Sequence, residues 1–199
     1  MRHRIVMGIG VACALLGSGK AAAQRARYSV YADLGAMSAL ADLNSSGTAS
    51  LKGGLYLGGG LNWQMVPEDS SLVLQGDVTW TRQELRTTRA GNGTKVDLVF
   101  IGAIFDYTWI QARRFQFTLS GGGGVVLVHA EDSAAATRAR PFARLGLGAR
   151  YVLRPNLHAF LQGIGMIYDL QSFPAASVLG PYTRRQSEVG IGAGLALGL

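Results

Sequence analysis

Residues 55–65 of this 199-residue chain read Leu-Tyr-Leu-Gly-Gly-Gly-Leu-Asn-Trp-Gln-Met and alternate in character from one position to the next. The odd-numbered positions supply the large apolar side chains, which are Leu55, Leu57, Leu61, Trp63 and Met65. The even-numbered positions are small or polar, and they are Tyr56, Gly58, Gly60, Asn62 and Gln64. Because successive side chains of a β-strand point to opposite faces, this stretch predicts a strand with one apolar face.

The same period of two recurs in seven other segments, so the sequence predicts eight strands in all. These segments cover residues 28–36, 72–81, 99–109, 115–127, 143–151, 157–168 and 188–199. Segment 157–168 is ambiguous, because both of its faces are largely apolar. Beyond residue 23, no segment approaches the roughly 18 consecutive apolar residues that indicate a membrane-spanning helix.

The first 23 residues are organised differently. Arg2 and Arg4 precede an apolar stretch, Ile5–Leu16, and small residues lead to Ala21–Ala23. This is the layout of a secretory signal peptide cleaved before Gln24. The apolar stretch is shorter than the about 20 residues that a spanning helix needs. We therefore expect residues 1–23 to be removed and residues 24–199 to form one exported domain.

The composition of the mature chain excludes several classes of protein. Cleavage removes the single cysteine and three of the 19 basic residues, which leaves 16 basic residues against 12 acidic ones. The absence of thiols excludes a disulfide scaffold and a multi-cysteine zinc site. Only 16% of the chain is charged and 48% is apolar, which excludes a disordered charged tail. The small net charge argues against a nucleic-acid partner, and we predict no cofactor and no metal site.

The connections between the predicted strands alternate in length. The short ones are residues 66–70, 111–114 and 154–156. The long ones, rich in Ser, Thr, Ala, Asn and Arg, fall near residues 38–52, 84–95, 129–140 and 170–185. Short turns at one end and long loops at the other are the plan of an outer-membrane β-barrel.

The position of the aromatic residues distinguishes a membrane barrel from a soluble β-sandwich. A membrane barrel carries aromatic side chains on its outward face at both interfaces. Here the aromatic residues of the apolar faces lie beside the short connections, except for one near the opposite rim. The predicted girdle consists of Tyr28, Trp63, Trp80, Tyr107, Trp109, Phe115, Phe117 and Tyr151. Because these aromatic residues lie both on the apolar face and near the ends of the strands, they predict an outer surface that contacts lipid.

The opposite faces of the strands carry glycines and a few polar residues, as the interior of a narrow barrel requires. Eight strands enclose a space just wide enough for side chains to fill it, and glycines leave room for bulky inward residues such as Tyr31 and Tyr56. Charges buried there must pair, because an unpaired one costs several kcal/mol. The predicted network, which leaves no wide channel, comprises Asp33, Asp77, Asp106, Gln116, Arg144, Arg150, Gln162 and Glu188.

The signal peptide, the eight alternating segments and the closing stretch Gly-Ile-Gly-Ala-Gly-Leu-Ala-Leu-Gly-Leu at residues 190–199 together resemble one known group. The chain is similar to the small eight-stranded outer-membrane β-barrels, such as the OmpA-like transmembrane domain, OmpX and the opacity proteins. The resemblance implies an all-β, antiparallel, up-and-down transmembrane barrel with short periplasmic turns and longer extracellular loops. It also implies a Gram-negative outer membrane and insertion by the barrel assembly machinery. Members of the group usually end in an aromatic residue, which Leu199 replaces here.

Four basic residues surround the second long loop, and they are Arg82, Arg86, Arg89 and Lys95. They are either solvated loop charges or contacts for lipopolysaccharide phosphates, which guanidinium groups bind through paired hydrogen bonds. We expect a structural or adhesive role at the cell surface, with outer-membrane lipids as partners. The alternative is a narrow porin or carrier for small or apolar solutes, which the inward apolar residues Phe100, Ile104, Phe160 and Ile164 support.

A lipid-modifying enzyme is a third hypothesis. His129 is followed by Asp132 and Ser133, and a nucleophilic serine requires an adjacent base and a group that orients this base. The sequence has no His-x-Ser motif and no second histidine near that rim, so we predict no catalytic residues. A soluble periplasmic barrel of the lipocalin type is a fourth hypothesis.

Overall fold

The computed structural model of the protein describes residues 27–40, 49–65, 71–87, 94–130, 138–169 and 185–199. The predicted signal peptide, residues 1–23, lies outside these ranges. The strands are β1 (Tyr28–Ala39), β2 (Ala49–Lys52), β3 (Gly54–Gln64), β4 (Leu72–Thr87), β5 (Thr94–Ala112), β6 (Phe115–Ala130), β7 (Arg138–Arg154), β8 (Leu157–Asp169) and β9 (Arg185–Gly198). In these ranges no helix is long and apolar enough to cross a membrane.

The strands form one closed antiparallel sheet. β1 pairs with β3 and with β9, and each strand from β3 onward pairs with the next one. β2 and β3 both pair with β4, one after the other along its length. Gly53 separates β2 from β3, and the register with β4 shifts by one residue there. The nine strands therefore make an eight-stranded barrel whose second strand is interrupted, and the predicted fold class is confirmed. A closed barrel leaves no unpaired strand edge.

The two ends of the barrel differ. At the turn end, tight turns at Arg113–Arg114 and Pro155–Asn156 join neighbouring strands. The backbone N–H of Leu199 donates to the carbonyl oxygen of Tyr28 at 2.9 Å, so the start of β1 and the end of β9 meet at this end of the barrel. At the loop end lie the longer connections, which fall largely outside the described residues, as does the predicted short connection 66–70 at the turn end.

All four predicted long loops contain strand residues, most of all residues 38–52 and 84–95, and their predicted bounds were wrong. β2 lies in the first, and the ends of β4 and β5 pair with each other in the second. The reason is that Leu51, Leu85 and Val96 point inward and are buried, so the apolar interior continues beyond the segments recognised by alternation.

Inward-facing glycines allow bulky side chains to cross the interior. Tyr56 lies over Gly192, and a Cβ atom added at that glycine would overlap the tyrosine hydroxyl. A Cβ atom added at Gly194 would lie 2.5 Å from Cζ of Phe160. These contacts are the physical reason for part of the glycine content of a narrow barrel.

The interior changes in character along the barrel axis. The loop-end half is packed with an apolar core of Met37, Leu51, Tyr56, Leu85, Val96, Leu98, Phe100, Val126, Val128, Phe142, Ile164, Met166 and Tyr168. Polar and charged side chains occupy the middle, and an open basin lies at the turn end. This packing decides which face of β8, the ambiguous segment 157–168, points inward, because Ile164, Met166 and Tyr168 are buried.

Candidate functional site

Arg144 lies at the centre of the largest polar cluster of the interior. It donates from Nη1 to Asp77 Oδ2 at 2.9 Å and from Nη2 to Gln162 Oε1 at 3.1 Å. Gln162 donates in turn from Nε2 to Asp33 Oδ2 at 2.7 Å. The structure therefore brings four residues of the predicted interior network together, on strands β1, β4, β7 and β8.

Two neutral side chains complete the hydrogen bonding of Asp77. The Tyr31 hydroxyl donates to Oδ1, and Thr79 Oγ1 donates to Oδ2 at 3.0 Å. A buried carboxylate is stabilised when its oxygens accept several hydrogen bonds in addition to the charge of its partner. The central cluster thus links strands across the lumen and is built to hold its charges away from water.

A second cluster lies toward the turn end. Arg150 donates from Nη2 to Asp106 Oδ2 at 3.0 Å, and Gln75 Nε2 donates to the same oxygen at 3.2 Å. The predicted network residue Gln116 lines the neighbouring basin, as does Arg150. Two further members of the predicted set are therefore an ion pair, separate from the central one.

The last member, Glu188, lies toward the loop end and is only 1% exposed. Its Oε1 accepts hydrogen bonds from the Tyr168 hydroxyl and from Gln83 Nε2, the latter at 3.0 Å. Both of these donors are neutral, and no ion pair among the described residues includes Glu188. The predicted set is thus three clusters arranged along the barrel rather than one.

Sequence reasoning missed the neutral donors of these clusters. Tyr31, Gln75, Gln83 and Tyr168 all occupy inward positions of their strands. The alternation of the sequence places Tyr31 and Gln75 on the inward face, but their hydrogen-bond partners lie on other strands. The missing signal was the register between strands, which decides which inward side chains share a level.

Two cavities occupy the interior at and near the turn end. The larger, which we call the turn-end basin, has a volume of about 260 Å³ and is lined mainly by polar residues, among them Arg27, Arg113 and Arg150. The smaller, about 30 Å³, is lined by Phe160, Asp106 and their neighbours next to the central cluster. By contrast, Phe100, Ile104 and Ile164 are closely packed, with at most 4% of each side chain exposed.

The outer surface of the barrel is mainly apolar, unlike the surface of a soluble protein. Thirty large apolar residues of the described ranges are exposed, and they include outward positions of every strand of the closed barrel. Between the two rims, the outward positions of the described strands carry no charged residue. Soluble monomers rarely expose contiguous apolar patches beyond a few hundred Å². A continuous belt of this kind requires an apolar environment.

The aromatic residues predicted as a girdle lie at the rims of this belt. Seven of them are 41–58% exposed, and they are Tyr28, Trp63, Trp80, Tyr107, Trp109, Phe115 and Phe117. Tyr151 is half-buried, and its ring centroid lies 4.8 Å from that of Phe115. A register shift between Thr108 and Ile110 turns the large side chains of Trp109 and Ile110 outward together at the turn end.

The loop-end rim places charged residues of opposite sign across neighbouring strands. Arg82 donates from Nε to Asp97 Oδ1 and from Nη2 to Oδ2, both at 2.8 Å. Trp80 Nε1 donates to Asp97 Oδ1 at 3.2 Å. Lys95 is exposed and opposes Glu84 in the register. Arg82 and Lys95 are therefore each opposed by an acidic residue on the neighbouring strand.

Of the other two basic residues predicted here, Arg86 belongs to β4 but its side chain is not described, and Arg89 lies outside the described residues. His129 is exposed and opposes Asp97 in the register between β5 and β6. Asp132 and Ser133 also lie outside the described ranges. In the part of the chain that the structure describes, no three His, Cys, Asp or Glu side chains converge as metal ligands.

Solved structures share this architecture. Neisserial surface protein A aligns with a TM-score of 0.61 and 15% sequence identity, over 86% of this chain and 97% of that one. The outer membrane protein OprG from Pseudomonas aeruginosa aligns with a TM-score of 0.51 and 12% identity, over 88% of this chain and 98% of that one. The fold is that of the small eight-stranded outer-membrane β-barrels. No family model and no curated protein sequence matches the chain.

The likeness to small outer-membrane barrels extends over nearly the whole of each compared chain. At these identities the likeness concerns the path of the backbone.

Proposed function

We propose that this protein is an outer-membrane β-barrel with a structural or surface role and without a wide pore. The observation that carries the proposal is the uncharged apolar belt with exposed aromatic residues at its rims. Such a belt, flanked by aromatic girdles, matches the lipid-facing surface of outer-membrane barrels. Closure of the sheet supports the same location, because lipid cannot satisfy the hydrogen bonds of an open strand edge.

In this proposal the turn end faces the periplasm and the loop end faces the outside, as in bacterial barrels with short periplasmic turns. Residues 1–23 direct export and are cleaved, and the barrel assembly machinery inserts the mature chain. In this proposal Arg82 and Lys95, at the loop-end rim, contact lipopolysaccharide phosphates together with Arg86 and Arg89.

The interior supports a barrel without a wide pore. The Arg144–Asp77 pair crosses the middle of the lumen, and the apolar core fills the loop-end half. A solute would have to displace both a buried ion pair and close packing, and each step is costly. We therefore propose that water-filled passage of large solutes does not take place.

Membrane fractionation and planar-bilayer recording test this proposal. The protein should partition into the outer membrane, and the purified barrel should give no large and stable single-channel conductance. Recovery in the soluble periplasmic fraction would contradict the location. A large, stable conductance from the purified barrel would contradict the closed lumen.

A narrow porin or carrier for small solutes is the second candidate. The turn-end basin and the smaller cavity beside Phe160 favour it, because they open the interior as far as the central cluster. Small, brief conductance steps that increase in the Arg144→Ala variant would support it. A lipid-modifying enzyme has less support, and loss of a lipid A acyl change in the His129→Ala variant, measured by mass spectrometry, would favour it.

A further inference from the structure

The turn-end basin concentrates positive charge at the mouth of the barrel. Arg27, Arg113 and Arg150 line it together with His158, and no aspartate or glutamate is among the lining residues of the described chain. Asp106 lies behind one wall, where it bonds Arg150. Three arginines thus line a cavity of about 260 Å³, against a single carboxylate behind its wall that bonds one of them.

Several polar atoms around the basin have no partner within the described residues. They are Arg150 Nε and His158 Nδ1, which can donate, and Asn62 Oδ1 and Asp106 Oδ1, which accept, all of them buried. Asn62 Nδ2 donates to Ser29 Oγ at 3.1 Å, which fixes the amide in the wall. Buried polar groups are almost always hydrogen-bonded, so the residues around the basin leave two donors that an anion could pair once their side chains turn toward it, and two acceptors that only water or a protonated oxyanion could pair.

The backbone holds the basic residues in place. Gln64 N–H donates to the carbonyl oxygen of Arg27 at 3.0 Å, which fastens the start of the chain to the rim. Arg113 adopts a left-handed conformation with φ of 45°, which an arginine rarely takes and which glycine favours in turns. A strained residue of this kind is a pointer to function when it bears a group that the site can use, as the Arg113 guanidinium does here.

We propose that the turn-end basin binds a small phosphate-type oxyanion. Guanidinium groups form paired, charge-assisted hydrogen bonds with such anions, and the basin is wide enough for one. Its lining residues lie at the turn ends of the strands, inside the closed sheet, so the strands separate the basin from the lipid around the belt. The anion therefore comes from the aqueous phase at the turn end. This inference goes beyond the proposed surface role and rests on the proposed membrane location, which the fractionation experiment tests separately.

Isothermal titration of the purified barrel with inorganic phosphate tests the site, in a neutral detergent and with chloride as the reference anion. The Arg27→Gln/Arg113→Gln variant should bind phosphate at least about tenfold more weakly, because it loses two charge-assisted contacts. The Arg114→Gln variant is the matched control. Arg114 is exposed in the same turn but does not line the basin, so its loss should leave the affinity unchanged.

A second arm separates a soluble anion from a lipid headgroup. Phosphate should bind equally well to the barrel in nanodiscs of phosphatidylcholine and of phosphatidylglycerol. Binding lost only in phosphatidylglycerol nanodiscs would support the oxyanion site and identify a headgroup as its occupant. No phosphate binding beyond that of chloride, or equal losses in the Arg114→Gln and double variants, would overturn the proposal.

Discussion

Arg144 and Asp77 meet across the barrel interior at 2.9 Å, and both side chains are only 2% exposed. The two residues lie 67 positions apart in the sequence. Arg144 also bonds Gln162, and Asp77 also accepts from Thr79, so each charge is held by more than its partner. The pair connects β7 to β4 through the lumen and so narrows it.

We predict that the Arg144→Met variant loses about 3–5 kcal/mol of unfolding free energy, because it leaves the Asp77 carboxylate buried without its counter-ion. The Arg144→Met/Asp77→Asn variant should lose less, since an asparagine still bonds Thr79 without a charge. Urea unfolding in lipid vesicles measures both.

The matched control for this ion pair is Arg82→Met. Arg82 forms an ion pair of similar length with Asp97, but its side chain is 45% exposed at the loop-end rim. Exposed pairs contribute about 0–1 kcal/mol, so this variant should be nearly as stable as the native protein. Equal losses in the Arg144→Met and Arg82→Met variants would show that the interior pair does not stabilise the barrel.

A second prediction concerns the contact between Tyr56 and Gly192. The Gly192→Ala variant should lose about 1–3 kcal/mol, because its methyl group overlaps the tyrosine ring and overpacking strains the interior. Replacing Tyr56 by leucine in that variant should recover part of the loss. Gly76→Ala is the control, because a Cβ atom there meets nothing within 4 Å. Additive losses in the double variant would exclude this contact as the cause.

The sequence alone was sufficient to recognise the eight strands and, except for residues 157–168, the orientation of their faces. A period of two is a local property, and Leu55, Leu57 and Leu61 reveal the outward face of β3 without any knowledge of their neighbours. Bounds at the loop end were less predictable. Leu51 and Leu85 continue the interior where the composition is typical of loops, and only pairing with a neighbouring strand turns these residues into β-structure.

The interior clusters were predictable as a set but not as pairs. Inward parity selects Asp77, Arg144 and Glu188, but register and strand tilt decide which of them share a level. Glu188 thus meets Tyr168 and Gln83 in place of an arginine. Partners of this kind follow from the closed sheet as a whole, which no local pattern encodes.

A third prediction tests whether the belt contacts lipid. Leu145 and Leu153 both point outward on β7, where Leu145 is near the middle of the strand and Leu153 is near the turn end. The Leu145→Arg variant should lose about 2–4 kcal/mol and Leu153→Arg about 0–1 kcal/mol, because the cost of arginine depends on depth in the bilayer. Urea unfolding in vesicles measures both. In a soluble barrel the two variants would be equally stable.

The last prediction concerns the proposed contact with lipopolysaccharide. Asp97 accepts both hydrogen bonds of the Arg82 fork, and its charge repels phosphates at the rim. The Asp97→Asn variant should therefore bind lipopolysaccharide about tenfold more tightly, because it frees a guanidinium for a charge-assisted contact. Surface plasmon resonance on immobilised lipopolysaccharide measures the affinity.

The gain from Asp97→Asn should disappear in the Arg82→Gln background, because the freed guanidinium is its cause. The variant that neutralises Arg82, Arg86, Arg89 and Lys95 together should bind more weakly than the native protein. An equal gain with and without Arg82 would mean that the net charge of the rim governs the affinity and that Arg82 has no part in it. Unchanged affinity in the variant with all four changes would contradict contact through this rim.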